Sequence, residues 1–189
     1  MNTVIDNINE IVINKSRFIC LTYNISNINE VEAKISEAKQ KYKDATHYCY
    51  AYIIGSLEKA SDDGEPSGTA GIPILNVLKK EKVQNVLCIV IRYFGGIKLG
   101  SGGLVRAYSK ACKEGLIITT LEQGYLVEIK FKYSHIKEIE YLIKDAVIIN
   151  KNFNNQPIYK FKIKSNKYKQ VVEKLNLISD VSIIEDIYI

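Results

Sequence analysis

Two short segments of this chain carry residue types that a hydrophobic core does not require. The first is Ser61-Asp62-Asp63-Gly64-Glu65-Pro66-Ser67-Gly68-Thr69-Ala70-Gly71. It sets three carboxylates within four residues, then follows them with hydroxyls and small residues that let a backbone approach another group closely. The second runs from Arg92 to Arg106 and holds five glycines between Gly95 and Gly103: Gly95, Gly96, Gly100, Gly102 and Gly103. Arg92 ends an apolar run. A charge there calls for a partner, and Asp62, Asp63 and Glu65 are the candidates. If a helix starts at the end of this glycine-rich stretch, its free N–H groups and dipole attract an anion. The candidate ligand-binding set is therefore Asp62, Asp63, Glu65, Ser67, Thr69, Arg92, Gly95, Gly96, Gly102, Gly103 and Arg106, with His47 added from the start of a nearby strand.

Each feature also has a plain structural reading. Asp, Gly and Pro are turn residues, so the acidic segment reads equally as a solvated turn. The glycines read equally as close helix-on-sheet packing, because they match neither a dinucleotide fingerprint nor a phosphate-binding loop of the Walker type. An Arg92–carboxylate pair can simply pin two loops. Carboxylates in a cluster can hold Mg²⁺ through water, yet such sites leave little spacing signature, so no metal ligand is assigned and the cofactor stays open. His47 and His135 are far apart and no CxxC pair occurs, so no zinc motif is present. No Ser-His-Asp or Cys-His order supports nucleophilic catalysis.

The elements that must position these segments follow from periodicity. Residues 3–13 and 16–25 alternate as two strands around a turn at Asn14-Lys15. Asn27 caps a helix over roughly 28–43, with Ile28, Val31, Ile35 and Ala38 as its apolar stripe. Residues 47–54 form a third strand and 55–71 a polar loop. Pro73 suits the first turn of a helix ending near Lys82. Val86-Leu87-Cys88-Ile89-Val90-Ile91-Arg92 has the pattern of a central strand buried on both faces. A helix is expected from Gly103 to Gly115, with Gly115 as its C-terminal cap. Glycine then becomes scarce and the pattern changes near 119–124, which sets expected domains at 1–121 and 122–189. The second reads strand 125–133, helix 135–146, strands 147–153 and 158–164, helix 167–178 and strand 181–188. This βαββαβ order is the ferredoxin-like plan.

With 189 residues, 47% hydrophobic and 25% charged, the chain has the composition of a folded globular protein. No apolar run is long enough to span a bilayer. The first residues lack a basic start followed by an apolar stretch, and the four cysteines lie in apolar or mixed settings, as reduced thiols do. A cytoplasmic location is expected. A net charge of +5 favours an anionic partner only weakly.

Taken together, Ser61 to Gly71 and Val90-Ile91-Arg92-Tyr93-Phe94-Gly95-Gly96, continuing through Leu99-Gly100 and Gly102 to Tyr108, resemble the signature of the IMPACT/YigZ family. Lys15-Ser16-Arg17-Phe18 and His47-Tyr48-Cys49-Tyr50-Ala51-Tyr52 also resemble family positions, so the likeness covers nearly the whole chain. It implies an α+β protein. The first domain would be similar to the second domain of a small-subunit ribosomal protein, and the second would be ferredoxin-like, as in elongation factor G. Eukaryotic members regulate translation through an additional N-terminal domain for which this chain has no room, so that partner is not implied. The expectation is an RNA- or ribosome-associated binding protein with a role in translation, with no membrane partner and no DNA sequence specificity. The alternative is an enzyme acting on a phosphorylated small molecule, with Mg²⁺ as its metal if it uses one.

Overall fold

The computed structural model describes all residues from Met1 to Ile189. The chain is an α+β protein with several antiparallel sheets. It divides into two compact units, Asn2–Thr120 and Leu121–Ile189, with Met1 joining the second.

The first unit runs β1 (Asn2–Ile5), β2 (Asn7–Ile13), β3 (Ser16–Asn24), α1 (Ile28–Lys41), β4 (His47–Ile54), β5 (Leu57–Ser61), α2 (Gly71–Lys80), β6 (Val86–Tyr93), α3 (Gly100–Gly115) and β7 (Ile117–Thr120). Its main sheet has the order β2-β3-β6-β4-β5. β6 is central, as its apolar run implies, and every residue from Val86 to Arg92 is buried. The sheet is antiparallel throughout, yet its middle is covered on both faces. Alternation assigns the faces: Val86, Cys88 and Val90 pack with residues of α2 and α3, whereas Leu87, Ile89 and Ile91 pack with residues of α1.

Several local expectations hold. Asn14 and Lys15 both take positive φ, the mark of a two-residue hairpin turn whose twist matches its strands. Asn27 caps α1 by accepting the Glu30 N–H at 3.1 Å. Others need correction. Residues 3–13 are two strands, because the chain breaks at Asp6, whose carboxylate accepts the Asn24 N–H at 2.8 Å. β1 then pairs with β7, a strand absent from the sequence reading. Five residues of the supposed polar loop 55–71, Leu57–Ser61, are strand β5, paired with β4. It is a largely exposed edge strand, so it carries no apolar alternation to betray it. α3 begins at Gly100, one turn before the expected Gly103.

Gly115 is not a left-handed cap. It is the last helical residue, and a Cβ there would lie 2.4 Å from Cys20 Sγ, so close packing on β3 explains the glycine.

The second unit runs β8 (Gln123–Phe131), a short 3₁₀ turn at Tyr133–His135, α4 (Ile136–Leu142), β9 (Val147–Asn152), β10 (Ile158–Lys164), α5 (Ser165–Ile178) and β11 (Ser179–Tyr188). The order is βαββαβ, and the sheet order β11-β8-β10-β9 is antiparallel throughout. Its helix expected at 135–146 is shorter, ending at Leu142. The unit has its own core, including Val127, Ile129, Phe131, Tyr159, Phe161 and Leu175. No helix is long and apolar enough to cross a membrane.

Candidate functional site

The register of the first sheet builds a site at the end of β6. Arg92 stands between Phe18 of β3 and His47 of β4. By alternation its side chain shares the α2/α3 face with Cys88 and Val90. A charge on that buried face is costly unless matched, and Glu65 matches it. Arg92 Nη1 donates to Glu65 Oε1 at 2.6 Å, and the two side chains are 6% and 3% exposed. The guanidinium also lies over the rings of Phe18 and Phe94, at 5.5 and 5.4 Å. This single hydrogen bond leaves Arg92 Nε buried without a partner.

Tyr108 of α3 donates to the same Glu65 Oε1 at 2.8 Å. Burial, then the neighbouring Cys49 and Glu65, push the Tyr108 phenol well above its usual range, which keeps it a donor. The Cys49 thiol lies 3.3 Å from the Tyr108 hydroxyl and 3.0 Å from the Asp62 carbonyl oxygen. Burial pushes that thiol up to about 12, so it is protonated and inert. Cys20, Cys88 and Cys112 are likewise free and buried.

His47 is fixed from behind. Its Nδ1 sits 2.8 Å from the Asp63 carbonyl oxygen. A carbonyl can only accept, so Nδ1 carries the hydrogen. That directs Nε2 toward Glu65 Oε2, 3.9 Å away. Glu65 thus uses Oε1 for Arg92 and Tyr108 and leaves Oε2 without a hydrogen bond.

These groups open into a cavity of about 310 Å³. Its walls include His47, Glu65, Arg92 and Phe94, with Lys98, Leu99, Gly100 and Ser101 where α3 begins. No side chain caps that helix start, so its first N–H groups remain available to an anion.

The three carboxylates expected to act together serve three separate duties. Asp62 accepts the N–H groups of Gly68, Ala70 and Gly71 at 2.8, 3.0 and 2.8 Å, and so caps α2 from across the loop. Burial opposes its ionisation, but these three N–H groups prevail and hold the carboxyl below its usual value. Asp63 has φ +42° and accepts the Tyr48 N–H at 2.7 Å. Only Glu65 pairs with Arg92 and reaches the cavity. No three His, Cys, Asp or Glu side chains are placed to share a cation.

The remaining expected residues divide. Thr69 closes a turn by donating to the Pro66 carbonyl at 2.6 Å. Ser67 is exposed and lies outside the cavity walls. Gly95 is where the chain crosses the β2–β3 turn, since a Cβ would sit 2.0 Å from the Lys15 carbonyl carbon. Gly96 supplies a left-handed backbone, with φ +84°. Arg106 is exposed, folds back toward Gly102, and pairs with none of the three carboxylates. Gly102 and Gly103 lie in the first turn of α3, and a Cβ at Gly103 would press on Leu99. Sequence reasoning missed Phe94, Lys98, Ser101 and Tyr108. The helix pattern of α3 placed Tyr108 on the same face as Leu104 and Ala111, where its hydroxyl needs a buried partner.

Comparison with known proteins places this geometry in a family. The Impact N-terminal domain model matches residues 14–116. Bacillus subtilis IMPACT family member YvyE is 54% identical over 110 residues, which span 57% of this chain but only 51% of that protein. Escherichia coli IMPACT family member YigZ is 33% identical over 173 residues, spanning 86% of this chain and 85% of YigZ. A crystal structure of a hypothetical protein is similar with a TM-score of 0.64 at 27% identity, covering 97% of this chain and 98% of that one. The chain belongs to the IMPACT family.

Proposed function

We propose that this protein is a cytoplasmic RNA- or ribosome-associated binding protein with a role in translation, and that the cavity at the start of α3 holds a phosphate group of its ligand. The observation that carries the reading is the uncapped N-terminus of a 16-residue helix beside Lys98 and the buried, singly bonded Arg92. Helix-start N–H groups and cations together favour an anion over water. The net charge of +5 acts in the same direction. The finer fold reading supports it as well. The first unit is taken as similar to the second domain of a small-subunit ribosomal protein. The second is taken as ferredoxin-like on its βαββαβ order and 4-1-3-2 strand order. Fluorescence anisotropy of a labelled single-stranded RNA between 50 and 200 mM salt tests it. A strand bound through about three phosphates, the one in the cavity among them, loses about tenfold or more in affinity over that interval and varies little with base sequence. Undetectable binding at the lower salt rejects the reading.

One observation favours a second reading, an enzyme acting on a phosphorylated small molecule. Glu65 Oε2 carries no hydrogen bond and His47 Nε2 stands 3.9 Å from it in the wall of the same cavity, an arrangement suited to accepting a proton from a bound hydroxyl. Turnover of a phosphorylated metabolite, lost in His47→Gln, would move the assignment to that class.

A further inference from the structure

The same cavity has a second end whose chemistry is opposite to its anion-seeking mouth. With His47 Nδ1–H committed to the Asp63 carbonyl, Nε2 is the ring nitrogen left without a hydrogen bond. Glu65 Oε2 is an acceptor and has no donor. The two lie 3.9 Å apart on side chains 19% and 3% exposed. Glu65 Oε2, an unbonded carboxylate oxygen on a side chain only 3% exposed, favours a ligand that brings a hydrogen-bond donor to this end.

The class of donor is restricted by the neighbours. Arg92 already sits 2.6 Å from Glu65, so a cationic ligand group would face a like charge at short range. Neutral donors, hydroxyls above all, fit better. Paired hydroxyls at one end and a phosphate at the other, within about 310 Å³, describe a sugar phosphate. Phe94 adds a third element, since it lines the cavity yet remains 47% exposed. An exposed ring at the mouth offers a stacking face for a base.

We propose that the cavity takes a ribonucleotide phosphate, its ribose hydroxyls hydrogen-bonded to Glu65 Oε2 and His47 Nε2 and its phosphate seated on the start of α3 beside Lys98. This rests on the anion-binding reading of the site given above. The ligand can be a free nucleotide or the terminal nucleotide of an RNA with an intact 3′ diol, since both present the same groups. An internal nucleotide does not, because its 3′ oxygen is esterified.

Isothermal titration calorimetry of the full-length wild-type protein tests it with adenosine 5′-monophosphate, its 2′,3′-dideoxy analogue and inorganic phosphate. The ribonucleotide is expected to bind at least about tenfold more tightly than the dideoxy analogue, because loss of the hydroxyls leaves Glu65 Oε2 and His47 Nε2 without their ligand partners. Equal affinities, or no ribonucleotide binding at millimolar concentration, overturn the inference. The variant His47→Phe is expected to reduce the discrimination while phosphate binding persists; discrimination equal to that of the wild type counts against the assignment. A parallel titration uses a short RNA with an intact 3′ end and the same RNA after periodate oxidation of that end. Preference for the intact end identifies RNA termini as the source. Discrimination among mononucleotides without RNA binding upholds the inference and rejects the RNA reading. RNA binding insensitive to the 3′ end, with no mononucleotide binding, does the reverse.

Discussion

At the scale of single residues, the acidic segment shows how one composition can hide three roles. Asp62, Asp63 and Glu65 are close in sequence, and nothing in their types separates them. The backbone separates them: positive φ at Asp63 and Gly64 turns the chain so that Asp62 faces the start of α2 while Glu65 faces Arg92. That Arg92 needs a carboxylate was legible, because the end of a buried strand is a costly place for a charge. Which carboxylate was not, because the choice depends on a turn three residues long. The pair yields a double-mutant prediction. Glu65→Gln and Arg92→Gln each cost about 3 kcal/mol or more, since each strands a buried partner, while Glu65→Leu with Arg92→Met costs clearly less than the sum. Additive losses in denaturant unfolding would mean the two side chains are not energetically coupled. Asp62 gives a pH-dependent prediction. Its folded-state carboxyl is held below the ordinary value of 3.8, so its contribution is present above that value and is lost as pH falls through the lower, folded one. Asp62→Asn should lower the melting temperature at pH 7, by about 2 kcal/mol in stability, and the gap should close as pH falls below the ordinary carboxylate range. A gap that stays constant with acidification would remove the carboxylate from the account.

At the scale of elements, strands and helices with strong periodicity were legible and edge elements were not. β6 declared itself as central because both of its faces are covered, and α1 did so through its cap and stripe. β5 and β7 escaped because an exposed edge strand needs no apolar alternation, and their pairing with β4 and β1 is fixed only by long-range register. Glycine was also read too uniformly. Gly96 and Gly100 supply positive φ, whereas Gly95 and Gly115 supply room for a neighbouring chain. The distinction matters for the site, since Gly95 holds the β6–α3 connection against the β2–β3 turn and also donates its N–H to Ser16 at 3.2 Å. Gly95→Ala should therefore destabilise the protein by about 3 kcal/mol through overpacking. It should weaken ligand binding as well, because the start of α3 moves with it. A neutral Gly95→Ala in thermal unfolding would show that the turn yields without cost.

At the scale of the whole molecule, the chain carries two cores that share no residues, one across both faces of the five-stranded sheet and one beneath the four-stranded sheet. The β1–β7 pair closes the first unit on itself by joining Asn2–Ile5 to Ile117–Thr120. We therefore expect fragments 1–121 and 122–189 each to unfold cooperatively in differential scanning calorimetry. A fragment without a transition would make the two units mutually dependent. The function was less legible than the fold, because a ligand site depends on which atoms are left unbonded, and sequence does not record that. The central claim is that the start of α3 beside Arg92 seats a phosphate of the ligand. Lys98 is the most direct probe, since it lines the cavity, is exposed and lies outside the Glu65–Arg92 pair. The decisive measurement is the RNA affinity of Lys98→Glu by fluorescence anisotropy at low salt, with its melting temperature recorded alongside. The account predicts an affinity loss of about tenfold or more, a shallower salt dependence and an unchanged melting temperature; wild-type affinity in a folded Lys98→Glu protein would contradict it.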